Sequence, residues 1–417
     1  MSATKPALVA VRGLLAALAA CGGGGGGGPT APAEPSTPTP TPAAIAGVAG
    51  AAMFDATRLH EVRLVMDSAD WASLQANYLA NQYYAARVVV DGASLDQAGV
   101  RSRGSGSRNA AKPALKVDFD RYVPRQELQG YKNVVLDNQI TDPSFLRERL
   151  SYAVFEAMGI AAPRNAFARL FVNDAYWGLY QITEPVSKPF LRSRLGEEGG
   201  NLFEYNWLFA WDFSPLGRRA SDYVPAVFQP QTNEDHLDAS ALVDFVAAAS
   251  EGDDASFVRT MTPWLDLERF VTQLAVENAT AESDGLLGHQ GMNNFYLYQY
   301  AGQRRFAFIP WDKDTAFATD RVPVYDRVET NVLARRLLLD AALRQRYVAE
   351  LRRAVISYVN DAWLGPRLEQ AYAQVRDAAL ADPHKAWTNQ QFEQAVPGLR
   401  GLIAARQADV LAQTGGS

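Results

Sequence analysis

The chain has 417 residues, 48% hydrophobic and 21% charged, which is ample material for one large core or two ordinary ones. A formal net charge of -6 argues against a nucleic-acid binder, which carries a basic field. Its 4 histidines (His60, His236, His289, His384) are scattered and its 1 cysteine is Cys21, so a histidine-built zinc site is not expected and no internal disulfide can form.

In chain order, Lys5 and Arg12 precede the apolar stretch GLLAALAA and then Cys21, the shape of a secretory signal with small residues before the cleavage point. The end of that segment, Leu18-Ala19-Ala20-Cys21, is similar to a bacterial lipobox. Residues 1–21 are therefore expected to be a lipoprotein-type signal, with Cys21 lipidated as the mature N-terminus; a plain signal peptide with an incidental cysteine is the other reading. The apolar run is too short to span a bilayer. Polyglycine and then a Pro/Thr/Ala run follow, so residues 22–46 read as a flexible tether that holds a domain off a membrane.

From Met53 the pattern mixes strands and helices. HEVRLVM alternates as a strand, residues 68–79 read as a short helix, and YAARVVVDG as a strand closed by an Asp-Gly turn. GVRSRGSGSRNAAKPALKVDF reads as strand, Gly/Ser loop, strand. Asp142-Pro143 is expected to open a helix that runs to a left-handed cap at Gly159. NAFARLFVNDAYWGLYQITEPV gives two strands joined at Asn-Asp. A low-signal stretch over 206–253 precedes WLDLERFVTQLAVENA, which has helical spacing. NNFYLYQYAGQRRFAFIPW then reads as a hairpin, and everything after Asn331 as helix. The expected fold class is α+β, with a strand-rich N-lobe over 47–187 and a mainly helical C-lobe over 188–417.

Candidate chemistry starts at FAFIPWDKD. Asp312 and Asp314 stand just past a strand, where mutual repulsion calls for an offsetting charge. Mg²⁺ or Mn²⁺ takes such hard oxygen ligands and completes its shell with phosphates. The hairpin should bring Asn293 or Asn294 near Asp312, with Asp284 in the loop before them. A metal-binding carboxylate, an amide and a carboxylate that positions a hydroxyl are the parts of a phosphoryl-transfer site. D-x-D alone is equally a solvated turn, and Lys313 is expected to point to solvent. In the N-lobe, the Gly/Ser loop (Arg103, Gly104, Ser105, Ser107) can bring backbone N–H groups to phosphates. Lys116 on the next strand can reach them; a flexible hairpin loop and an outward-facing lysine are the plain alternatives. Glu148 shares a helical stripe with Phe145, Tyr152 and Phe155, where an unpaired carboxylate is costly. Lys116 is its expected partner, and a surface bridge to Arg149 or Lys132 is the alternative. Glu184 ends a strand where the lobes would join, a place suited to a flat ligand; an ordinary exposed residue is the alternative.

With these residues in view, the chain resembles the spore-coat CotH-type protein kinase family over roughly residues 50–415. The most specific match is LRERLSYAVFEAMGIAAPRNAFARLFVNDAYWGLYQITEPV, through its G-x-Y-x-x-x-E core. LHEVRLVMDSADWASL, VRSRGSGSR, the pair NNFYLYQ and FAFIPWDKDTAF, and DPHKAWTNQQFEQAVPGLRGLIAAR follow in the family's order. The resemblance implies an atypical two-lobed protein-kinase-like fold that uses ATP and Mg²⁺, or Mn²⁺, to phosphorylate Ser or Thr of secreted or surface proteins. It implies that Lys116 contacts ATP phosphates and pairs with Glu148, that residues around Glu184 border the adenine and ribose, and that Asp284 is the base. Asn293 or Asn294 and Asp312 would bind metal, with Asp314 a second ligand or a loop support. The chain departs from the family pattern at Ser105, where an asparagine is usual, and in the spacing after Asp284, which leaves Glu282 as its nearest competitor. Two other readings stand beside this one: a D-x-D metal-dependent glycosyltransferase, and a non-catalytic surface scaffold or adhesin. The expected location is extracytoplasmic, with the membrane reached only through the N-terminal lipid.

Overall fold

The computed structural model describes residues 48–415, so the signal, the tether and the lipidation of Cys21 lie outside the described residues. The first half runs β1 (Leu59–Met66), α1 (Ser68–Ala76), β2 (Tyr84–Val90), β3 (Ala93–Ser102), β4 (Leu115–Asp118), β5 (Asn133–Asp137), α2 (Arg147–Ala157), β6 (Asn165–Val172) and β7 (Ala175–Thr183). These strands close into a barrel in the order β1-β2-β3-β4-β5-β7-β6, with β6 parallel to β1 and every other pairing antiparallel. The sequence reading did not foresee closure, because a period-2 pattern says which face a strand buries and not what its edges meet.

Local chemistry explains the barrel. In β2, Tyr84, Ala86, Val88 and Val90 alternate into the interior. Asp91 and Gly92 turn β2 into β3 with φ of 48° and 87°, and Asn173 and Asp174 turn β6 into β7 with φ of 48° and 66°. Such paired positive-φ residues match the right-handed twist of the strands they join. The register of β2 on β3 slips between Ala86 and Val88, opposite Gln97 at φ 57°. That bulge adds the local twist a closed sheet needs.

Helix α2 begins at Arg147, not at Pro143 as the cap signal suggested. Phe145 takes φ 63° and breaks the turn, and the Asp142 carboxylate instead caps from a distance, accepting the Ser144 and Arg147 N–H groups at 2.8 Å each. Gly159 ends the segment at φ 83°, in the left-handed conformation its position calls for.

The second half contains α3 (Lys188–Leu195), β8 (Asn201–Tyr205), β9 (Phe228–Pro230), α4 (Ser240–Ser250), α5 (Phe257–Met261), α6 (Leu267–Ala279), β10 (Phe295–Gln299), β11 (Phe306–Pro310), α7 (Val332–Leu339), α8 (Ala341–Ser357), α9 (Asp361–Leu380) and α10 (Asn389–Thr414). The fold is thus α+β, strand-rich first and mainly helical after. Four short strands form one sheet, β11-β10-β8-β9. Helix α6 is buried on nearly every side, including its polar Gln273, Glu277 and Asn278. It shares one apolar core with α2 and with Phe167 and Leu179 on the barrel's outer face.

One buried ion pair ties the barrel to the C-terminal helices. Lys112, after the Gly/Ser loop, meets Asp382, between α9 and α10, at 2.7 Å and also donates to the Leu179 carbonyl at 2.8 Å. Gly178 leaves room for that carboxylate: a Cβ there would lie 2.5 Å from Asp382 Oδ1.

Candidate active site

The β10–β11 hairpin pairs Phe295 with Pro310, so the residues before β10 and after β11 emerge at the same end. The Trp311 N–H donates to the Asn294 carbonyl at 3.1 Å, which brings Asn294 beside Asp312 as the hairpin reading expected. Asn294 and Asp312 both take left-handed backbone, with φ of 54° and 49°. Asn and Asp tolerate that region better than bulkier residues, and it turns both side chains off the sheet end. Asp284 completes the ledge. Its carboxylate accepts from Asn293 Nδ2 at 3.1 and 3.0 Å and from Asn294 Nδ2 at 3.0 Å. Each amide donates through nitrogen and keeps its oxygen as an acceptor.

The lysine between the two aspartates is not solvated. Lys313 is fully buried, 3.3 Å from Glu277 of α6, and donates to the Asn294 carbonyl at 3.1 Å. Burial alone would lower its pKa, but Glu277, Glu282 and Asp284 outweigh it and hold the ammonium above its usual value. Lys313 therefore offsets a set of buried acids from beneath the ledge. Glu282 belongs to that buried layer: it accepts from Thr315 Oγ1 and from the Asp284 N–H at 2.8 Å, so it props the loop and leaves Asp284 on the cleft side. Glu277 accepts the Leu286 N–H at 2.7 Å and fills the space where a Cβ on Gly285 would fall, 2.4 Å away.

Asp312 and Asp314 line a cleft of about 650 Å³ whose opposite wall is the Gly/Ser loop, with Arg103, Gly104, Ser105 and Ser107. The loop is held in shape. Arg108 Nε donates to the Gly104 carbonyl at 2.7 Å, and Asn138 Nδ2 donates to the carbonyls of Ser107 and Lys112 at 3.1 and 2.7 Å. Gly104 has φ 99°, a conformation that favours glycine, and a Cβ there would crowd Ser107 Oγ at 2.8 Å. The Arg103 guanidinium lies 4.0 Å from Asp137 at the end of β5 and 5.6 Å from the centre of the Trp311 ring. Burial would lower its pKa, yet Asp312, Asp137 and Glu204 raise it.

Charge on the ledge is unbalanced. Burial first, then repulsion from Asp137, pushes Asp312 up to about 7. Burial, then Asp312 and Asp137, pushes Glu148 up to about 8. Asp314 is raised well above the carboxylate range by the same causes while it accepts from Thr141 Oγ1. Among the described residues no three His, Cys, Asp or Glu side chains converge as a finished metal cage. The donor set nonetheless fits a hard divalent cation that keeps several non-protein oxygens: repelling carboxylates, neighbouring amide oxygens and an open side toward the cleft.

Some expected contacts are absent. Glu148 is buried as its aromatic stripe required, but its partners are the Tyr152 hydroxyl on the same helix, Gln181 Nε2 and the Lys313 N–H at 3.4 Å. Lys116 lies instead among Asp118, Arg101, Glu204 and Arg103, and burial lowers its pKa. Arg149 and Lys132 are engaged elsewhere, on Ala56 and Gln374 and on Asp120. Glu184 is fully buried in an ion pair with Arg164 at 2.8 Å, and Tyr131 donates to it as well. It does not line the cleft, because the pairing of Asn165 with Thr183 sets Arg164 beside it. Asp137 and Asn138 are site residues the sequence reading passed over. Asp137 ends the apolar strand NVVLD as Asp312 follows FAFIP, and that shared signal, an acid at a buried strand's end, would have found it.

Comparison with known proteins identifies relatives of the chain. The chain is 24% identical over 281 residues to the inner spore coat protein H of Bacillus subtilis (strain 168), covering 66% of this chain and 75% of that one. It is 23% identical over 248 residues to spore coat protein homolog 1, and 24% over 243 residues to invasin CotH7, both of Rhizopus delemar. Those two matches cover 54% of this chain in each case, and only 38% and 39% of the fungal proteins. Residues 100–410, which hold the Gly/Ser loop, the ledge and the C-terminal helices, match the family model described as CotH kinase protein, and the chain belongs to that family.

Proposed function

We propose that the chain transfers the γ-phosphoryl group of ATP to Ser or Thr hydroxyls of secreted or surface proteins, as an atypical kinase-like enzyme with the barrel as its first lobe. The observation that carries this reading is the Asp284 carboxylate held by two amides at 3.0–3.1 Å, beside Asp312 and across a cleft from Arg103 and the Gly/Ser loop. Mg²⁺ or Mn²⁺ would be held by Asp312 and by Asn293 or Asn294, with Asp314 as a further donor, and would supply positive charge for the phosphate oxygens. Arg103 and the N–H groups of Gly104, Ser105 and Ser107 bind phosphate oxygens, and Lys116 adds positive charge behind them. Glu148 and Tyr152 position the Asp312 backbone, whose N–H donates to Tyr152 Oη at 2.9 Å. Asp284 orients the acceptor hydroxyl and takes its proton as the oxygen–phosphorus bond forms and the bond to ADP breaks. Residues around Glu184 have a structural role in this account.

The glycosyltransferase reading is disfavoured by the largely antiparallel barrel, which lacks the βαβ pattern of a nucleotide-sugar domain. A scaffold or adhesin without turnover stays as a second reading, since one relative carries the name invasin CotH7. Placement outside the cytoplasm fits both, and the lipid on Cys21 is proposed as the membrane link. Among the described residues no helix is long and apolar enough to cross a membrane. The test is to melt the protein with ATP, with sugar nucleotides and with Mg²⁺ or Mn²⁺, and to follow label from ATP into secreted proteins. Stabilisation by metal and ATP together, with label transferred, is expected. Stabilisation by sugar nucleotides alone, or by nothing, would refute the reading.

A further inference from the structure

An exposed apolar segment begins at Trp207, which lines the cleft together with Asp284, and continues outward through Leu208 and Phe209. Trp207, Leu208 and Phe209 are 43%, 37% and 68% exposed; among the described residues the other exposed large hydrophobic side chains stand singly or, at Tyr122 and Val123, as a pair. Single exposed apolar residues are ordinary, but a contiguous set at the mouth of a cleft marks a binding surface. The segment is fixed to the loop that carries Asp284. Trp207 Nε1 and the Ala210 N–H both donate to the Gln290 carbonyl, at 3.3 and 2.9 Å, and Gly291 packs so closely on Ala210 that a Cβ would stand 2.9 Å from its backbone. The loop itself is closed on Asp284's side by the Asn293 N–H on the Gly285 carbonyl at 2.9 Å. Trp207, Gln290 and Asp284 line the same cleft, while the arginines of that cleft (Arg101, Arg103, Arg108) all stand on the Gly/Ser side. The phosphate side is therefore cationic, whereas Trp207, Leu208 and Phe209 carry no charge, and the acid nearest them on the cleft wall is Glu204 of β8.

We infer that the Trp207–Phe209 rim is the docking surface for the protein substrate, taking an apolar side chain that flanks the acceptor Ser or Thr in an extended segment. The inference rests on the kinase reading for its acceptor hydroxyl, but docking can be measured without transfer. A charged flanking residue gains nothing on this rim and loses hydration, so the surface selects Phe or Leu over Lys or Asp. The rim stands off the polar ledge, so a peptide spanning from Asp284 to Phe209 presents its hydroxyl to the carboxylate and its apolar neighbour to the aromatics.

The test uses the full chain and fluorescent peptides with a central serine and either Phe or Lys nearby, together with their Ser→Ala counterparts. Anisotropy reads binding, and labelled ATP reads transfer. The Phe peptides should bind more tightly than the Lys peptides with or without the hydroxyl. Phe209→Ala should weaken the Phe peptides, and raise KM for them where transfer occurs, by about five- to tenfold, with Phe209→Leu recovering most of the loss. Nucleotide binding should stay where it was. Binding of the Phe peptides without transfer would support docking and count against the kinase reading alone. Equal affinity of Phe209→Ala and wild type for the Phe peptides would overturn the inference. So would a loss confined to nucleotide affinity, or a loss confined to binding of anionic phospholipid vesicles.

Discussion

Two neighbouring side chains on the ledge have opposite energetic roles. Asp312 is half-buried beside other carboxylates, so it is held in place against their repulsion, whereas Lys313 neutralises the acids below it. Asp312→Asn keeps a residue that tolerates φ 49° and removes one of the repelling charges. It should leave stability unchanged or raise it by about 1–3 kcal/mol at pH 8, while abolishing metal-dependent ATP binding; chemical denaturation and calorimetric titration read the two effects separately. A clear loss of stability would show that Asp312 is structural. Lys313→Met leaves Glu277 and Glu282 buried without their cation and should destabilise the fold by about 3–5 kcal/mol, measured by urea unfolding. A change under 1 kcal/mol would contradict the burial described above. The sequence could not reveal this lysine's role, because a charged residue between two aspartates defaults to solvent and its partner Glu277 comes from a separate helix. Glu148 was legible, since its aromatic stripe required burial and Tyr152 of that stripe bonds it, but its partners from other elements were not. Gln181 and the Lys313 backbone reach it only after β7 and the hairpin have packed.

At the scale of elements, the hairpin carries the site. Its register follows from two apolar runs separated by a Gly-containing turn, which is why the proximity of Asn294 and Asp312 was readable. The loop between α6 and β10 is set by a different constraint, the close approach of Gly285 to Glu277. Gly285→Ala should force that loop away from Glu277, costing about 1–3 kcal/mol and displacing Asp284. The check is a melting curve beside the transfer rate: activity should fall more than the lost stability explains. Strands β8 and β9 escaped the sequence reading because they span only five and three residues, and an aromatic run with polar neighbours fits a loop equally well. The start of α2 was misread for a related reason. A cap residue followed by proline signals a helix start, but Phe145 inserts a left-handed turn before the helix proper.

For the whole molecule, the barrel and the helical part meet around a cleft where acids outnumber nearby cations. Asp312 and Glu148 hold their protons more tightly in the folded chain than in the unfolded one, at about 7 and about 8 against ordinary values of 3.8 and 4.5. Their favourable contribution is therefore complete below those ordinary values and is lost as pH rises through the folded ones. The melting temperature of the metal-free chain should fall between about pH 4 and pH 8, and Mg²⁺ should restore more of it at the higher pH. An equal effect of Mg²⁺ at both ends would mean that it binds elsewhere. Fold class was legible from the strand-rich and helix-rich halves, but barrel closure and the Lys112–Asp382 tie were not. Both join residues far apart in sequence: β1 meets β6, and Lys112 meets an aspartate 270 residues away.

The central claim, that the ledge of Asp284, Asn293, Asn294 and Asp312 performs phosphoryl transfer, is tested most directly by one comparison. Wild type and Asp312→Asn, matched by melting temperature for folding, are incubated with γ-labelled ATP, Mg²⁺ and a secreted-protein substrate, and acid-stable phosphoserine or phosphothreonine is counted. The account predicts label on the substrate with wild type and none with Asp312→Asn. Equal labelling by both proteins, or no labelling by wild type under conditions where it binds ATP, would contradict it.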